Sequence, residues 1–184
     1  MPDITIAAVD EWTRLALAAR GRAAPSALDA FVRATQDDVW RLCAHLGDRD
    51  RADDLTQETY VRVLRSLPVF RGDAPVRSWL FSIVRRVVAD DIASRQRRRR
   101  HHSDLDHETV PESAAPDHQG SITLEDLLES LDPGRRAAFV LTQLLGYSYA
   151  EAADACDVPI GTIRSRVARA RESLVVLLGE PVAV

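Results

Sequence analysis

A cluster of acidic and amide side chains is the first feature of this sequence that suggests chemistry. Asp53, Asp54, Gln57, Glu58 and Arg62 fall within about three turns of one predicted helix, so they share a polar, mostly acidic face. Such a face suits docking on a basic partner or plain exposure to solvent. Metal ligation, as in a metal-dependent nuclease or phosphodiesterase, requires convergent histidines or further carboxylates, which the sequence does not place beside it.

A helix-turn-helix pattern near the C-terminal end is the second candidate site. Residues 148–174 predict a helix, a short turn at Asp157-Val158-Pro159, and a second helix. Apolar residues of the second helix recur at helical spacing and predict a buried stripe, which consists of Ile163, Val167, Ala170 and Leu174. The opposite face presents small and basic residues, which are Gly161, Thr162, Arg164, Ser165, Ala168 and Arg169.

This arginine-bearing face suits the major groove of DNA. A recognition helix places its exposed side chains against base edges, where arginine pairs bidentately with guanine. The first turn, at Gly161 and Thr162, offers free backbone N–H groups to a phosphate. The alternative is a solvated arginine-rich helix face. The turn, the small residues and the buried stripe together favour DNA binding.

The charge distribution predicts contact with a polyanion at two places. The 184-residue chain has a net charge of −4, and all 24 of its basic residues are arginine. Seven arginines lie within residues 85–100, and four more cluster within residues 164–171. Residues 103–120 contain five acidic residues and no arginine. An acidic spacer between two basic regions is consistent with two separate contacts to nucleic acid.

Helical periodicity runs through most of the chain, and no segment alternates as a strand would. Helices are predicted over residues 26–46, 51–67 and 79–92, with a loop at residues 70–75 before the third. Later signals are an Asp132-Pro133 helix start and a capping box of Ser148 and Glu151. The predicted fold class is therefore all-α.

The predicted organisation is two small helical domains joined by a flexible linker, because residues 101–120 have too little apolar content to form a core. We expect the free domains to tumble semi-independently. The predicted divisions are an N-terminal extension (1–24), a first helical domain (25–100), a flexible acidic linker (101–120), a helix-turn-helix domain (121–179) and a tail (180–184).

No metal, cofactor or membrane insertion is predicted. Cys43 and Cys156 are too few for a disulfide framework and are expected to be small buried hydrophobes. The histidines of the linker lack the fixed spacing of a metal site; they are His101, His102, His107 and His118. No apolar run reaches the roughly 18 residues that a membrane helix needs, and acidic residues interrupt the start of the chain. These features predict a cytoplasmic protein.

Four motifs together resemble bacterial sigma factors of the extracytoplasmic-function (ECF) group, in the sigma-70 family. They are Asp53-Asp54-Leu55-Thr56-Gln57-Glu58-Thr59-Tyr60, Phe70-Arg71-Gly72, Ser78-Trp79-Leu80 and Gly161-Thr162-Ile163-Arg164-Ser165-Arg166. The resemblance covers about residues 25–178 and implies a non-enzymatic subunit that directs core RNA polymerase to promoters. A stand-alone helix-turn-helix repressor or activator is the alternative, and it leaves the acidic face unexplained.

The resemblance also implies roles for individual residues. The acidic face would bind the β′ clamp helices, and the helix-turn-helix domain would read the −35 element and contact the β flap. The −10 element would be melted by the first domain, whose loop captures an unstacked base. Candidate −10 contacts are Arg71, Arg77, Trp79, Arg85, Arg86 and Arg95. Of these, Arg95 is expected to contact duplex phosphates upstream, together with residues 97–100. An anti-sigma factor is a further partner that the resemblance allows.

Two residues depart from the family's pattern. Arg86 stands where many relatives carry Asn at a base-contacting position, which leaves the preferred −10 sequence open. Pro159 stands where the family has a Ser cap before the recognition helix, so the first turn must be satisfied differently.

Overall fold

Eight α-helices form two packed units in the parts of the chain that the structure, a computed structural model, describes: residues 10–21, 25–103 and 123–179. The first unit contains α1 (Glu11–Ala19), α2 (Pro25–Leu46), α3 (Ala52–Ser66) and α4 (Val76–Ser103). The second contains α5 (Leu124–Glu129), α6 (Pro133–Phe139), α7 (Tyr149–Cys156) and α8 (Ile160–Leu177). No strand occurs in these ranges, and the predicted all-α class is confirmed. Most of the predicted linker and the predicted tail lie outside the described residues.

The first unit is built around a buried stripe on α3 that repeats at helical spacing and continues to the residue after the helix. Leu55, Thr59, Val63 and Leu67 are all buried. Leu55, Val63 and Leu67 belong to one hydrophobic cluster with Phe31 and Leu42 of α2 and Phe81 of α4, and α3 packs against both of these helices. Burying each large apolar side chain contributes about 1.5–3 kcal/mol, so this stripe holds α3 against α2 and α4.

Helix α1 is an element that sequence analysis missed, because residues 1–24 were treated as an extension of the first domain. Asp10 caps it by accepting a hydrogen bond from the backbone N–H of Thr13 at 3.0 Å. Thr13, Ala16 and Ala19 are buried against the rest of the first unit. Their spacing of three residues, together with the Asp10 cap, was the available signal.

Gly47 ends α2 as the sequence predicts, and it also allows α2 and α3 to approach closely. A Cβ atom at this position would lie 2.8 Å from the carbonyl oxygen of Cys43 and 2.9 Å from Cδ1 of Leu55. Both distances are shorter than van der Waals contact. The backbone N–H of Gly47 also donates to that Cys43 oxygen at 3.0 Å, which fixes the backbone there.

We expect the substitution Gly47→Ala to lower the free energy of unfolding by about 1–3 kcal/mol, because the added methyl group overlaps a backbone atom that is hydrogen-bonded in place. Gly21→Ala is the matched control, since nothing lies within 4 Å of a Cβ atom there. Urea unfolding followed by circular dichroism measures both. Equal stabilities for the two variants would contradict the packing described for Gly47.

The second unit begins its helices with the caps that the sequence predicts. Asp132 accepts from the backbone N–H groups of Gly134 and Arg135, and Ser148 forms a capping box with Glu151. The sequence predicts that the helix after Pro133 continues through Leu144 and Leu145 and ends at Gly146. Instead, α6 changes into a π-helical segment, Val140–Leu144, which the hydrophobic pattern did not indicate.

The two units contact each other, which differs from the expected semi-independent domains. Helix α7 packs against α4, and its small residues Ala152, Ala153 and Ala155 are buried. Arg49 of the first unit also donates to Glu125 of the second at 2.6 Å. The expectation rested on the composition of the linker alone. It did not consider that α4 and α7 both carry apolar surface that close packing removes from water.

Candidate nucleic-acid and partner interfaces

The acidic face of α3 is assembled as the sequence predicts. Asp53, Asp54, Gln57 and Glu58 are all exposed, whereas Arg62 is half-buried. Arg62 donates to Glu58 at 2.8 Å and to Asp90 of α4 at 2.7 Å, so it ties the face to the neighbouring helix. Asp53 accepts a 2.8 Å hydrogen bond from the indole N–H of Trp40. The side chains of Asp54 and Gln57 have no partner among the described residues.

Two apolar residues extend this face, and sequence analysis did not include them. Val61 is 40% exposed and Leu64 is 47% exposed. They follow Asp54 and Gln57 by seven residues, so they lie two turns further along the same side of α3. Their position off the buried stripe was the signal that could have identified them. Together the two pairs form a surface with an acidic end and an apolar end, which we call the α3 surface.

The loop at residues 70–75 joins α4 to a short 3-10 turn, Leu67–Val69, that follows α3. Arg71 is exposed. Gly72 has a φ of +78°, a backbone conformation that residues other than glycine rarely adopt. The Phe70 ring packs on the ring of Trp79, with centroids 4.8 Å apart. Trp79 is half-buried and rests against the core, so it supports the loop from beneath while keeping part of its surface open.

Arg77 lies between the two units. Its guanidinium carbon is 4.5 Å from the ring centroid of Trp12 in α1 and 5.3 Å from that of Tyr147 in the second unit. Both distances fit cation–π contacts. Burial raises the pKa of Tyr147, and the nearby positive charge of Arg77 opposes this only in part. The phenol therefore stays neutral and covers one side of Arg77.

The other predicted −10 residues fall into two groups along α4. Arg85 and Arg86 are exposed near the middle of the helix. Arg95 differs from the expectation, because it is bound to two carboxylates, Asp48 at 2.7 Å and Asp91 at 3.0 Å. A guanidinium held in this way is not free for a phosphate. No sequence pattern indicates the contact with Asp48, which lies 47 residues away in the chain.

The predicted recognition face of α8 is present and open. The stripe of Ile163, Val167, Ala170 and Leu174 is buried as predicted. Gly161, Arg164, Ser165, Ala168 and Arg169 are exposed on the other side, with Thr162 half-buried at the first turn. Neither the Arg164 side chain nor the Arg169 side chain has a hydrogen-bond partner among the described residues, so both guanidinium groups are available.

The remaining arginines of α8 are engaged within the second unit. Arg171 donates to the side chain of Gln143 at 2.6 Å. Arg166 is half-buried against Gly134, where a Cβ atom would lie 3.2 Å from its guanidinium carbon. Pro159 occupies the cap position without a side-chain hydrogen bond. Its carbonyl accepts from the backbone N–H of Thr162 at 2.8 Å, so the first turn closes through the backbone.

The cysteines are buried as expected. Burial raises the pKa of the Cys43 and Cys156 thiols, so both remain protonated at neutral pH. No group of three or more potential metal ligands occurs among the described residues, whereas the side chains of the linker histidines lie outside them. None of the helices that the structure describes is both long and apolar enough to cross a membrane.

The fold and these surfaces define a class of protein: an all-helical DNA-binding chain with one helix-turn-helix unit and one unit that offers a partner surface. Family comparison is more specific. The model of sigma-70 region 2 matches residues 31–98, and that of sigma-70 region 4 matches residues 121–174. The two matches together cover the loop, the α3 surface and the recognition face.

Sequence relatives point to the same family. The ECF RNA polymerase sigma factor SigC of Mycobacterium tuberculosis is 45% identical, with 88% of each chain covered. The ECF RNA polymerase sigma factor EcfG of Rhodopseudomonas palustris is 36% identical, covering 72% of this chain and 74% of the relative.

Solved structures agree with both comparisons. The sigma factor RpoE, in complex with the anti-sigma factor NepR from Bartonella quintana, matches 83% of this chain and 96% of its own, with a TM-score of 0.62 and 30% identity. CnrH, in complex with the cytosolic domain of CnrY, matches 92% and 98%, with a TM-score of 0.69 and 25% identity. The chain belongs to the sigma-70 family of RNA polymerase sigma factors, in its ECF group, and directs promoter-specific transcription initiation.

Proposed function

We propose a division of this activity between the two units. The first unit binds core RNA polymerase through the α3 surface and melts the −10 element, and the second reads the −35 element through α8. The observation that carries the proposal is the pair of unpartnered arginines on α8, Arg164 and Arg169, on the same chain as the equally unpartnered Asp54 and Gln57 of the α3 surface. A stand-alone DNA-binding protein needs the first feature and has no use for the second.

The α3 surface fits a basic helical partner with some apolar character, and the β′ clamp helices are the candidate from family resemblance. Asp54 and Glu58 supply negative charge, while Val61 and Leu64 supply apolar area that is still exposed to water in the free subunit. Interfaces of this kind combine a desolvated apolar patch with charges at its edge.

The loop at residues 70–75 is the proposed site of −10 base capture. Arg71 and Arg77 would contact the displaced strand, and Trp79 would support the loop beneath the unstacked base. Arg85 and Arg86 extend this surface along α4. For duplex phosphates upstream, we propose Arg97, Arg98 and Arg100, which are exposed at the end of α4, in place of Arg95.

Base capture requires the two units to move apart. In the free subunit Tyr147 covers Arg77, and residues 73–75 face the α7–α8 turn across a cleft of about 600 Å³. We infer that binding to core polymerase separates the units. The α3 surface is exposed and can bind the polymerase first, whereas the loop is partly covered by the second unit until the units separate. The packed form then binds promoter DNA weakly.

The family comparison also supports a proposal for how this chain is regulated and where it is found. We propose that an anti-sigma factor binds this chain in the cytoplasm, because RpoE was solved with the anti-sigma factor NepR and CnrH with the cytosolic domain of CnrY. The chain itself carries out no catalysis, since RNA synthesis belongs to the polymerase.

Run-off transcription with core polymerase and genomic promoter fragments tests the proposed function. We expect specific transcripts only when core enzyme and this subunit are both present. Specific DNA binding by the subunit together with no transcript from any fragment would favour a stand-alone repressor instead.

A further inference from the structure

We propose that helix α1 positions the loop at residues 70–75, and that Thr13, Leu17 and Arg20 set the shape in which this loop captures a −10 base. The inference rests on the proposed role of the loop in base capture. It concerns a segment that both family models leave out, since the region 2 match begins at residue 31.

Helix α1 contacts the loop at its beginning, its middle and its end. Arg20 donates a hydrogen bond from Nη1 to the carbonyl oxygen of Phe70 at 2.8 Å. A Cβ atom on Gly72 would lie 3.3 Å from Cδ2 of Leu17, so the Leu17 side chain covers the loop's glycine. Thr13 accepts a 3.0 Å hydrogen bond at Oγ1 from the backbone N–H of Val76, the first residue of α4.

These contacts form an ordered series. Thr13, Leu17 and Arg20 are separated by four and three residues, which places them on one face of the helix. Their loop partners follow in the opposite order along the chain, so α1 runs antiparallel to the loop. A whole helical face therefore lies along the loop from one end to the other.

Each contact restrains a different part of the loop. The Phe70 carbonyl, fixed by Arg20, belongs to the residue whose ring packs on Trp79. Gly72 has a left-handed backbone, which Leu17 covers. The N–H of Val76 is one of the free donors at a helix start, and the Thr13 hydroxyl satisfies it. A loop held in this way is already ordered before a base arrives, so binding costs less conformational entropy.

Helix α1 also positions the first arginine after the loop. Trp12 lies next to Thr13 and holds the Arg77 guanidinium carbon 4.5 Å from its ring centroid. When the second unit moves away, Tyr147 leaves Arg77 but Trp12 remains. Arg77 therefore keeps one aromatic support that belongs to its own unit.

The test measures base discrimination by the reconstituted holoenzyme. Open-complex formation is compared on a cognate promoter and on promoters with single substitutions at each −10 position. Arg20→Ala and Thr13→Val are expected to reduce discrimination about fivefold at the captured position, a fraction of what one stacked base contributes. Affinity for core polymerase is expected to stay unchanged, because α1 lies apart from the α3 surface.

Two further variants separate positioning from general structure. Arg20→Lys keeps a cationic donor for the Phe70 carbonyl and is expected to restore part of the discrimination. Arg14→Ala removes an exposed arginine of the same helix whose side chain has no partner among the described residues, and it is expected to behave as wild type. Because Arg20 is exposed, its loss is not expected to shift the thermal unfolding midpoint appreciably.

Arg71→Ala, a substitution in the loop itself, distinguishes failure of this inference from failure of the proposed function. If Arg71→Ala lowers discrimination while Arg20→Ala and Thr13→Val do not, α1 has no positioning role. If Arg71→Ala also leaves discrimination intact, the loop does not capture the base and both proposals fall. An equal loss of activity on every promoter, together with a lower unfolding temperature, would show that α1 only stabilises the fold.

Discussion

Reversing the charges of Asp54 and Glu58 together, as Asp54→Arg and Glu58→Arg, is expected to abolish binding to core RNA polymerase while leaving helical content unchanged. Both residues are exposed on α3, so the substitutions do not disturb the core. Placing two positive charges against a basic partner costs several kcal/mol, which corresponds to a loss of about 100-fold or more in affinity. Fluorescence anisotropy with labelled subunit measures the affinity, and circular dichroism measures the helix content.

A matched control reverses two exposed acidic residues elsewhere, Asp29→Arg and Glu172→Arg. Asp29 pairs with Arg33 four residues on at 2.8 Å, just as Glu58 pairs with Arg62. The control therefore breaks an equivalent helical ion pair and makes the same change in net charge. Core affinity close to wild type in the Asp54/Glu58 variant would contradict the proposed use of the α3 surface.

Alanine at Arg164 or at Arg169 is expected to relax base preference at one or two positions of the −35 element. Both guanidinium groups are exposed and lack partners among the described residues, so neither is needed to hold α8 in place. Loss of a bidentate arginine–guanine pair costs about 1–3 kcal/mol of discrimination. Competition assays of the holoenzyme on promoters with single −35 substitutions measure that difference directly.

Arg171→Ala is the control for this experiment, because Arg171 lies on the same helix but is bound to Gln143. We expect it to leave −35 preference unchanged. A uniform loss of affinity across all base variants in Arg164→Ala or Arg169→Ala would assign that arginine to a phosphate. Unchanged affinity and preference in both variants would contradict the recognition role of this face.

Elements with strong local signals could be predicted from the sequence. The stripes of α3 and α8 repeat at helical spacing, and the caps at Asp132 and Ser148 have their partners within three residues. The recognition face followed directly, since a buried stripe fixes which side chains of the same helix remain outside. Such features depend on residues that are close together in the chain, so they can be recognised from the sequence alone.

Features that depend on distant partners could not be predicted. Arg95 was expected on DNA phosphates, but its partner Asp48 belongs to the turn between α2 and α3. Arg77 was expected to be open to the −10 element, yet it is covered by Tyr147 from the other unit. In both cases the sequence shows only that the side chain is positively charged. Which group it contacts is decided by packing between helices far apart in the chain.

The contact between the two units was not predicted for the same reason, because it joins helices that are far apart in the chain. A polar linker suggests separate domains, but its composition does not reveal whether the helices on either side of it pack together. The small residues of α7 allow this helix to approach α4 closely, and close packing of small side chains leaves little periodic signal. Helix α1 was missed for a related reason, because its buried face consists mainly of Thr and Ala.

Promoter affinity of the subunit, measured with and without core polymerase, distinguishes a sigma factor from a stand-alone DNA-binding protein. With core enzyme bound, the two DNA contacts become effectively intramolecular and the units are held apart, so we expect tight, specific promoter binding. Alone, at moderate salt, the chain has a net charge of −4 and a covered Arg77, so we expect only weak binding. Nanomolar, fully specific binding by the free chain, unchanged by core polymerase, would contradict this account.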